Sequence, residues 1–325
     1  MSDMHLVDLS GKLELEPIRK GFGKGLLEAG KRWDNVVAAC ADLTDSTQMN
    51  LFAKEFPERF IEIGVAEQNL VTVGAGLAAI NKIPFVSSYA AFSPGRNWEQ
   101  IRTTICLNDR PVKIAGSHAG VSVGPDGATH QMLEDIALMR VLPNMVVIAP
   151  CDSVEAEKAT LAMVVDKRPN YIRLAREATP IITTAKTPFE IGRAYVFEKG
   201  ADVSIIATGT MTYQALMAVD RLYKDGIEAE VIHVPTVKPL DAETILTSVR
   251  KTGAVVTVEE GQIIGGLGGA IAELLAEELP TPIKRVGMQD RFGESGAPDK
   301  LIEYFGLDAK HIRLAAHAVL ERKML

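Results

Sequence analysis

Two short segments contain the residues best suited to chemistry, and the first of them runs from Gly64 to Asn69. Within it, Glu67 stands where an extended apolar stretch, residues 59–63, changes to a helical pattern of small residues, 70–79. A carboxyl group at such a junction can meet a bound ligand rather than bulk water. Taken alone, Glu67 fits better the ordinary role of an acid at the positive end of a helix dipole.

The second segment, residues 124–131, is rich in turn formers and contains Asp126 and His130, with His118 a little upstream. Two histidines and an aspartate on loops at strand ends suit hydrogen bonding to a polyhydroxylated substrate. They do not suit a metal ion, because no cysteine or closely spaced carboxylate completes a ligand set. We therefore expect no metal site in this chain. Each histidine by itself is more often structural than catalytic.

Two pairs of side chains could complete a binding pocket. Tyr89 and Phe92 are ordinary candidates for the core, but such a ring could also stack on a planar heterocycle. Arg19 and Arg176 would usually be solvated surface charges. If they met across a pocket, they would bind a phosphate through bidentate hydrogen bonds.

The glycine-rich segments 21–25 and 265–269 do not match a nucleotide-binding fingerprint. Leu26 and Ile271 stand where the last glycine of G-x-G-x-x-G would be. We expect the second segment to form a tight helix entry. The sequence also contains no Walker loop, nucleophile elbow or zinc-binding helix motif.

The composition is that of an ordinary globular protein, with 325 residues, 47% of them hydrophobic and 24% charged. A formal charge of −7 without a basic run argues against a nucleic-acid partner. No apolar run reaches the roughly 20 residues that span a bilayer, so we expect no membrane association. Residues 1–15 lack the pattern of a secretory signal. Cys40, Cys106 and Cys151 are far apart and odd in number, which favours free thiols and a cytoplasmic location.

Apolar runs alternate with helical periodicity, which predicts an α/β fold of two consecutive domains with mainly parallel sheets flanked by helices. In the first part the pattern predicts strands at 35–39, 59–63, 83–88, 112–115, 145–149 and 171–174, and helices at 17–29, 67–80, 97–108, 132–141 and 153–165. In the second part it predicts strands at 203–207, 229–233, 254–258 and 283–286, and helices at 213–224, 242–249, 268–278, 298–305 and 308–322. Asp152 or Ser153 is the expected N-cap of the helix at 153–165.

The pattern breaks around residues 178–199, which contain prolines and no helical period. We therefore predict a first domain at residues 1–182, a linker at 183–199 and a second domain at 200–325.

In their order and spacing, these segments resemble the C-terminal half of transketolase over nearly the whole chain. In this thiamine-diphosphate family, the glutamate of a Gly-Val-x-Glu segment contacts N1′ of the cofactor's aminopyrimidine, and Glu67 occupies that position. The family's Asp-Gly-x-Thr-His-Gln loop matches residues 126–131, and its stacking ring falls on Phe92. The resemblance implies a pyrimidine-binding domain followed by the transketolase C-terminal domain.

The resemblance also implies the catalytic roles. Glu67 would exchange a proton with the cofactor, whose own chemistry carries the carbanion step. His118 and His130 would orient the carbonyl and hydroxyl groups of the substrate, and Asp126 would bind the C2 hydroxyl of the donor. Phe92 would stack on the pyrimidine.

The remaining contacts that the resemblance implies concern the phosphate and the cofactor. Near the start of the chain, residues 41–46 match the family's Ala-Asp-Leu-x-x-Ser segment, so Ser46 would contact a terminal phosphate. Arg19 and Arg176 would bind the same phosphate. Tyr89 is assigned with the cofactor-binding residues.

One motif of the family is missing. The diphosphate-binding half of a transketolase holds its metal with a Gly-Asp-Gly segment and a later asparagine, and no Gly-Asp-Gly occurs in this chain. The resemblance therefore implies the C-terminal subunit of a split transketolase, which transfers a two-carbon ketol unit between sugar phosphates. An N-terminal partner subunit would hold Mg²⁺ or Ca²⁺, in a heterotetramer or around a homodimer core.

Three alternatives stay open. The synthase that makes 1-deoxy-xylulose 5-phosphate resembles the chain at Glu67-Gln68, Tyr89 and Arg96, whereas His118 favours transketolase. The beta chains of 2-oxo acid dehydrogenases share the domain plan but generally lack the Asp-Gly-x-Thr-His loop. A non-catalytic relative would keep only the fold, and the presence of Glu67 and both histidines argues against it.

Overall fold

Fourteen strands form three sheets in the computed structural model, which describes residues 4–323. The strands are β1 (Leu15–Pro17), β2 (Val36–Cys40), β3 (Phe60–Glu62), β4 (Ile83–Tyr89), β5 (Lys113–Ser117), β6 (Val146–Ile148), β7 (Asn170–Arg173), β8 (Ala178–Pro180), β9 (Tyr195–Glu198), β10 (Val203–Ala207), β11 (Ala229–His233), β12 (Thr236–Lys238), β13 (Val255–Gln262) and β14 (Ile283–Met288).

Helices cover the faces of the two larger sheets. The α-helices are α1 (Ile18–Arg32), α2 (Asn50–Glu55), α3 (Glu67–Ala79), α4 (Trp98–Gln100), α5 (Asp135–Arg140), α6 (Ser153–Val165), α7 (Met211–Tyr223), α8 (Ala242–Thr252), α9 (Leu267–Glu278), α10 (Pro298–Tyr304) and α11 (Ala309–Lys323). Two 3₁₀ helices (Pro57–Arg59 and Val121–Asp126) and a π-helical segment (Ile101–Cys106) complete the set within the described range.

The first large sheet has the strand order β12-β6-β7-β5-β4-β2-β3, and every neighbouring pair is parallel except β12 with β6. Four of its strands, β2, β5, β6 and β7, are buried along their whole length. This is the pattern of parallel strands with both faces covered by helices. The second large sheet has the order β14-β13-β10-β11-β9 and is parallel except at β9. The predicted α/β class is therefore confirmed.

Helices α1 and α6 pack against each other on one face of the first sheet. A Cβ placed on Gly21 of α1 would lie 1.8 Å from the carbonyl oxygen of Ser153, so only glycine permits this approach. The predicted cap of α6 is confirmed, because the Asp152 carboxylate accepts a hydrogen bond from the backbone N–H of Glu155. Asp152 also accepts hydrogen bonds from the backbone N–H groups of Ile182 and Thr183, so it anchors the chain that follows the sheet.

The glycines at 265–269 form the tight helix entry that the sequence predicts. Gly265 has φ +78°, and α9 begins two residues later. The backbone N–H groups of Leu267 and Gly268 donate to the carboxylate of Glu259, at 2.8 and 2.7 Å. Burial raises the pKa of Glu259 to about 7, although these two N–H groups oppose the rise. An acidic side chain of the same chain therefore occupies the end of this helix, where a phosphate would otherwise bind.

The segment 178–199, in which the sequence pattern breaks, contains two short strands, β8 and β9. Strand β8 pairs with β1, and β9 adds an edge to the second sheet. Two predicted helices have other bounds in the structure. The helix expected at 132–141 begins only at Asp135, since the backbone of Met132 forms a bridge with Ala119. The helix expected at 97–108 is a short α-helix followed by a π-helical segment.

Strand pairing, apolar packing and a buried polar contact connect the two parts of the chain. Strand β12 leaves the second part and pairs with β6 at the edge of the first sheet. In the opposite direction, Met4, Leu6 and Leu9 pack against the hydrophobic core of the second part. Side chains also meet at this joint, where Nε2 of His233 lies 2.8 Å from Oε2 of Glu155 in a fully buried contact.

Cys40, Cys106 and Cys151 are free, as the sequence predicts, and all three are buried. Among residues 4–323, every helix is too short or too polar to cross a bilayer.

Candidate active site

The site residues that the sequence predicts, apart from Arg19 in α1, follow strand ends at one edge of the first sheet. Because β2, β3, β4, β5 and β7 are parallel, their C-terminal ends lie along this edge, where ligands bind in open α/β sheets. The residues at or after these ends are Ser46 after β2, Glu67 after β3, Tyr89 and Phe92 at β4, His118 after β5 and Arg176 after β7.

Glu67 is the first residue of α3 and is only 2% exposed. Its carboxylate oxygen Oε2 accepts a hydrogen bond from Nη1 of Arg96 at 2.7 Å. Its backbone carbonyl accepts one from Nδ2 of Asn97 at 2.8 Å, and the same amide contacts Ser93 Oγ at 3.1 Å. The segment that follows β4 therefore holds Glu67 at both its backbone and its carboxylate.

A surface pocket of about 530 Å³ opens beside this carboxylate. It is lined by Val65, Ala66, Glu67, Gln68, Asn69, Thr72, Arg96 and Gln100. The side chain of Arg96 is half exposed and lies over the ring of Phe92, with its Cζ 4.8 Å from the ring centroid. Arg96 thus connects the buried acid to the aromatic ring and stands at the mouth of the pocket.

Four rings form a group that Arg96 connects to the pocket. Tyr89 is stacked on His118, with ring centroids 3.8 Å apart, and on Phe92 at 6.2 Å. His130 approaches both aromatic rings edge-on, at 6.2 Å from Tyr89 and 5.5 Å from Phe92. The structure therefore brings the two predicted histidines and the two predicted aromatic residues into one group.

His118 is almost completely buried and adopts a left-handed backbone conformation with φ +58°. This conformation is uncommon outside glycine and turns the side chain into the ring group. Nδ1 lies 2.8 Å from Ser117 Oγ. Burial, followed by the charges of Arg19, Arg176 and His130, lowers the pKa of His118 to about 3. His118 is therefore a neutral imidazole near pH 7, able to donate one hydrogen bond and accept another.

The two arginines both lie near His118. Arg19 Nη1 donates to the backbone carbonyl of Ser46 at 2.5 Å. Arg176 Nη1 donates to the carbonyl of Val123 at 2.8 Å and lies 3.5 Å from Oδ1 of the exposed Asp126. Burial and then the charge of Arg176 lower the pKa of Arg19. Two guanidinium groups close enough to repel each other make a site that an anion would stabilise.

The structure also differs from the sequence analysis in detail. Ser46 contacts Arg19 through its carbonyl oxygen, and its hydroxyl is the group left to meet a ligand. The sequence indicates Arg96 only as a feature shared with the synthase, and it does not indicate Asn97. The sequence signal for both was their position a few residues after Phe92 on the segment that returns to Glu67.

One cluster within the described residues has the composition of a metal site. The potential ligand atoms of Cys151, Glu155 and His233 lie within 4.8 Å of one another, and all three side chains are buried. The Glu155 carboxylate already accepts hydrogen bonds from the Cys151 backbone N–H and contacts His233. These contacts make the cluster part of the joint between the two halves of the chain.

Comparison with known proteins identifies both halves of the chain. Residues 17–181 match the transketolase pyrimidine-binding domain, and residues 192–312 match the transketolase C-terminal domain. A protein of Methanocaldococcus jannaschii, provisionally named a transketolase C-terminal section, is 47% identical over 94% of this chain and 96% of its own. A 6-deoxy-6-sulfo-D-fructose transketolase subunit of Clostridium sp. is 44% identical over 96% of this chain and 97% of its own. A solved structure described as a split-gene transketolase in an inactive β4 tetramer is 46% identical, with a TM-score of 0.89 over 94% of this chain and 99% of its own.

Proposed function

This chain belongs to the transketolase family, and from that premise we propose that it is the C-terminal subunit of a two-subunit transketolase. The proposed reaction transfers a two-carbon ketol unit from a ketose phosphate to an aldose phosphate with thiamine diphosphate as cofactor. We also propose the domain limits 1–182 and 200–325, joined by residues 183–199, and a cytoplasmic location, which three free cysteines favour.

The observation that supports this reaction best is the buried carboxylate of Glu67 beside an open pocket, with the ring of Phe92 connected to it through Arg96. The aminopyrimidine of thiamine offers a ring nitrogen to such a carboxylate and a flat face to Phe92. The arrangement fits the cofactor, because Asn97 holds the backbone of Glu67 while Oε1 accepts no hydrogen bond from residues 4–323. When bound, the cofactor supplies the carbanion chemistry that joins and releases the ketol unit.

In this proposal, Glu67 holds and exchanges the proton at N1′ of the pyrimidine. Arg96 donates to the same carboxylate, so it keeps the acid oriented and must share it once the pocket is filled. Phe92 and Tyr89 would fix the plane of the cofactor ring. Tyr89 acts mainly through His118, on whose ring it is stacked.

The substrate would bind on the other side of the ring group. His118 is neutral, so it can donate a hydrogen bond to a carbonyl oxygen or accept one from a hydroxyl. His130, with Nδ1 held 2.9 Å from Thr129 Oγ1, would contact a neighbouring hydroxyl, and Asp126 the C2 hydroxyl of the donor. A terminal phosphate would lie between Arg19 and Arg176, next to the hydroxyl of Ser46.

The diphosphate of the cofactor needs a second protein. The chain contains no Gly-Asp-Gly segment, and its pocket beside Glu67 is lined by no cluster of carboxylates that could bind Mg²⁺ or Ca²⁺ within the described residues. We propose that an N-terminal subunit holds the metal, in a heterotetramer or around a homodimer core. The 46% identical structure that is described as inactive contains β chains alone, which supports this proposal.

The identity of the sugar anion is a separate question. A relative 44% identical is named for a sulfonated sugar. Phosphate and sulfonate are both tetrahedral anions, and the Arg19–Arg176 pair could bind either. Assays with both kinds of sugar therefore belong to the test of this proposal.

Reconstitution tests the proposal directly. The purified chain should show no ketol transfer alone, and mixing it with its N-terminal subunit, Mg²⁺ and thiamine diphosphate should start the reaction. Each subunit alone with metal and cofactor is the control. Full activity of this chain, shown free of partner by mass spectrometry, would contradict the two-subunit proposal; an inactive complex with every phosphorylated and sulfonated sugar tried would contradict ketol transfer.

A further inference from the structure

The loop that follows β5 carries three of the proposed substrate contacts and leaves the first sheet over a long, irregular path. We call residues 118–131 the substrate loop. It contains three glycines with positive φ, namely Gly120 (+91°), Gly124 (+80°) and Gly127 (+71°). Glycine is flexible in solution, so a loop of this composition needs external contacts to keep one shape.

The strongest of these contacts comes from Glu260, in β13 of the second domain. Oε1 of this buried carboxylate accepts a hydrogen bond from the backbone N–H of Ser122 at 2.6 Å, and Oε2 accepts one from the Thr210 hydroxyl at 2.8 Å. A Cβ placed on Gly120 would lie 2.3 Å from Oε1, so the carboxylate packs against the loop backbone and leaves no room for a side chain at this position. Thr210 thus fixes the acid, and the acid fixes the start of the 3₁₀ helix in the loop.

A second region of the same domain holds the other end of the loop. Gln131 Nε2 donates to the carbonyl oxygens of Val121 at 3.0 Å and of Glu294 at 2.9 Å. A Cβ on Gly127 would lie 2.5 Å from Ser295 Oγ, and one on Gly124 would lie 3.0 Å from Pro298 Cγ. Residues 294–298 of the second domain therefore pack closely against the loop.

We infer that Glu260 is a positioning residue for ketol transfer, through which the second domain fixes the substrate loop and the orientation of His118 and Asp126. The inference rests on the proposed function, and it means that the second domain contributes to catalysis by positioning the substrate loop. His118 stands two residues before Gly120, and Asp126 ends the short turn that follows the one bound by Glu260, with a kink at Gly124 between the two turns. Loss of this hydrogen bond should let the loop move while Glu67 and Phe92, which lie outside it, keep their places.

The test compares Glu260→Ala and Glu260→Gln with wild type in the complex with the N-terminal subunit. We expect kcat/KM of Glu260→Ala to fall about 10- to 100-fold, as for a lost charged hydrogen bond, with the KM of the sugar raised. The concentration of thiamine diphosphate that gives half-maximal activity should stay the same. Glu260→Gln keeps an acceptor for Ser122 and should restore part of the lost rate.

Hydrogen–deuterium exchange provides a readout that does not depend on activity. Exchange at residues 120–131 should speed up in Glu260→Ala and hardly change elsewhere. Glu230→Ala is the matched control, because Glu230 is a buried acid of the same sheet whose partner is Lys251. If Glu260→Ala does not fold, Gln131→Glu offers a second variant, since a carboxylate would face the carbonyls that Gln131 now donates to.

The outcomes separate the inference from the proposed function. Wild-type activity in Glu260→Ala, with unchanged exchange at the loop, would overturn the inference and leave ketol transfer intact. An equal loss of cofactor activation and sugar turnover would assign Glu260 to general stability and would also overturn it. A wild-type complex without ketol transfer would contradict the proposed function, and loop exchange would still decide whether Glu260 holds the loop.

Discussion

The segment directly after β4 holds Glu67 in place, because Asn97 donates to its backbone carbonyl and Arg96 to its carboxylate. Because these contacts are so specific, a nearly isosteric change can separate chemistry from structure. Glu67→Gln should abolish turnover in the reconstituted complex, since an amide cannot exchange the proton at N1′. The melting temperature should stay close to wild type, because the hydrogen bond from Asn97 goes to the backbone.

Glu99→Gln serves as the control for this prediction, because Glu99 is an exposed acid on the same segment. Rates and circular-dichroism melting curves are to be measured for both variants. Near-normal turnover in Glu67→Gln would show that the acid is a helix-end residue without a catalytic role.

Arg176 tests whether the anion site is specific. Arg176→Ala should raise the KM for phosphorylated acceptors by an amount equal to a lost charged hydrogen bond, about 1.5–3 kcal/mol. Non-phosphorylated acceptors should be affected little, because they do not use this guanidinium. Steady-state kinetics with both kinds of acceptor decide the point, with the exposed Arg102→Ala as control. Equal losses for the two kinds of acceptor would make Arg176 a structural residue that holds Val123.

His118 should remain neutral through the physiological pH range. Burial and the nearby arginines lower its pKa to about 3, so its NMR ring signals should not titrate between pH 5 and 8. The lowered pKa of His118 also makes the stability of the fold depend on pH. The unfolded histidine binds a proton near pH 6.5 and the folded one does not, so the contribution of His118 to folding is lost as pH falls from 6.5 towards 3. A His118 signal that titrates near pH 6.5 would contradict this burial.

At the scale of elements, the joint between the two large sheets depends on a buried contact between α6 and β11. Burial alone would raise the pKa of Glu155, but the charge of His233 holds it below its ordinary value. His233→Ala would leave this carboxylate buried without its partner, so it should lower the free energy of unfolding by about 3–5 kcal/mol. Urea denaturation measures the change.

His317→Ala is the matched control for that prediction. His317 is 40% exposed and lies 2.9 Å from Asp225, so its loss should cost about 0–1 kcal/mol. Similar losses in the two variants would show that the joint does not depend on the buried pair.

Local pattern was enough to predict the elements whose apolar residues are contiguous. All ten strands expected from the sequence exist, and α6 begins at the residue predicted for it. The four strands that were missed, β1, β8, β9 and β12, are three or four residues long and pair with distant parts of the chain. Such strands are stabilised by pairing with their partners, and a short window of sequence contains no information about a distant partner.

The same limit applies to the candidate site. Glu67, Phe92 and the loop 126–131 belong to motifs of adjacent residues, so a resemblance could indicate them. Glu260 contacts Ser122 from 138 positions away. Its own neighbours, Glu259 and Gly261, give no sign of a loop elsewhere, and only the packing of the second domain against the first reveals it.

At the scale of the whole molecule, the chain offers half of a cofactor site. Alone it should bind thiamine diphosphate weakly, because the metal that neutralises the diphosphate is the largest local charge in such a site. Calorimetric titration of the cofactor into this chain, into the N-terminal subunit and into their complex with Mg²⁺ should show tight binding only for the complex. Tight, metal-independent binding to this chain would contradict the shared site.

Strand β12 also has a consequence for the order of events during synthesis. The edge of β6 stays unpaired until residues 236–238 have been made, although the rest of the first sheet is complete by residue 173. At about 5–20 residues per second, the intervening stretch takes several seconds to leave the ribosome. During that time a buried apolar strand presents open hydrogen-bonding groups, the condition under which nascent chains pair with one another. Chaperone binding to this nascent edge would then set the yield of native protein.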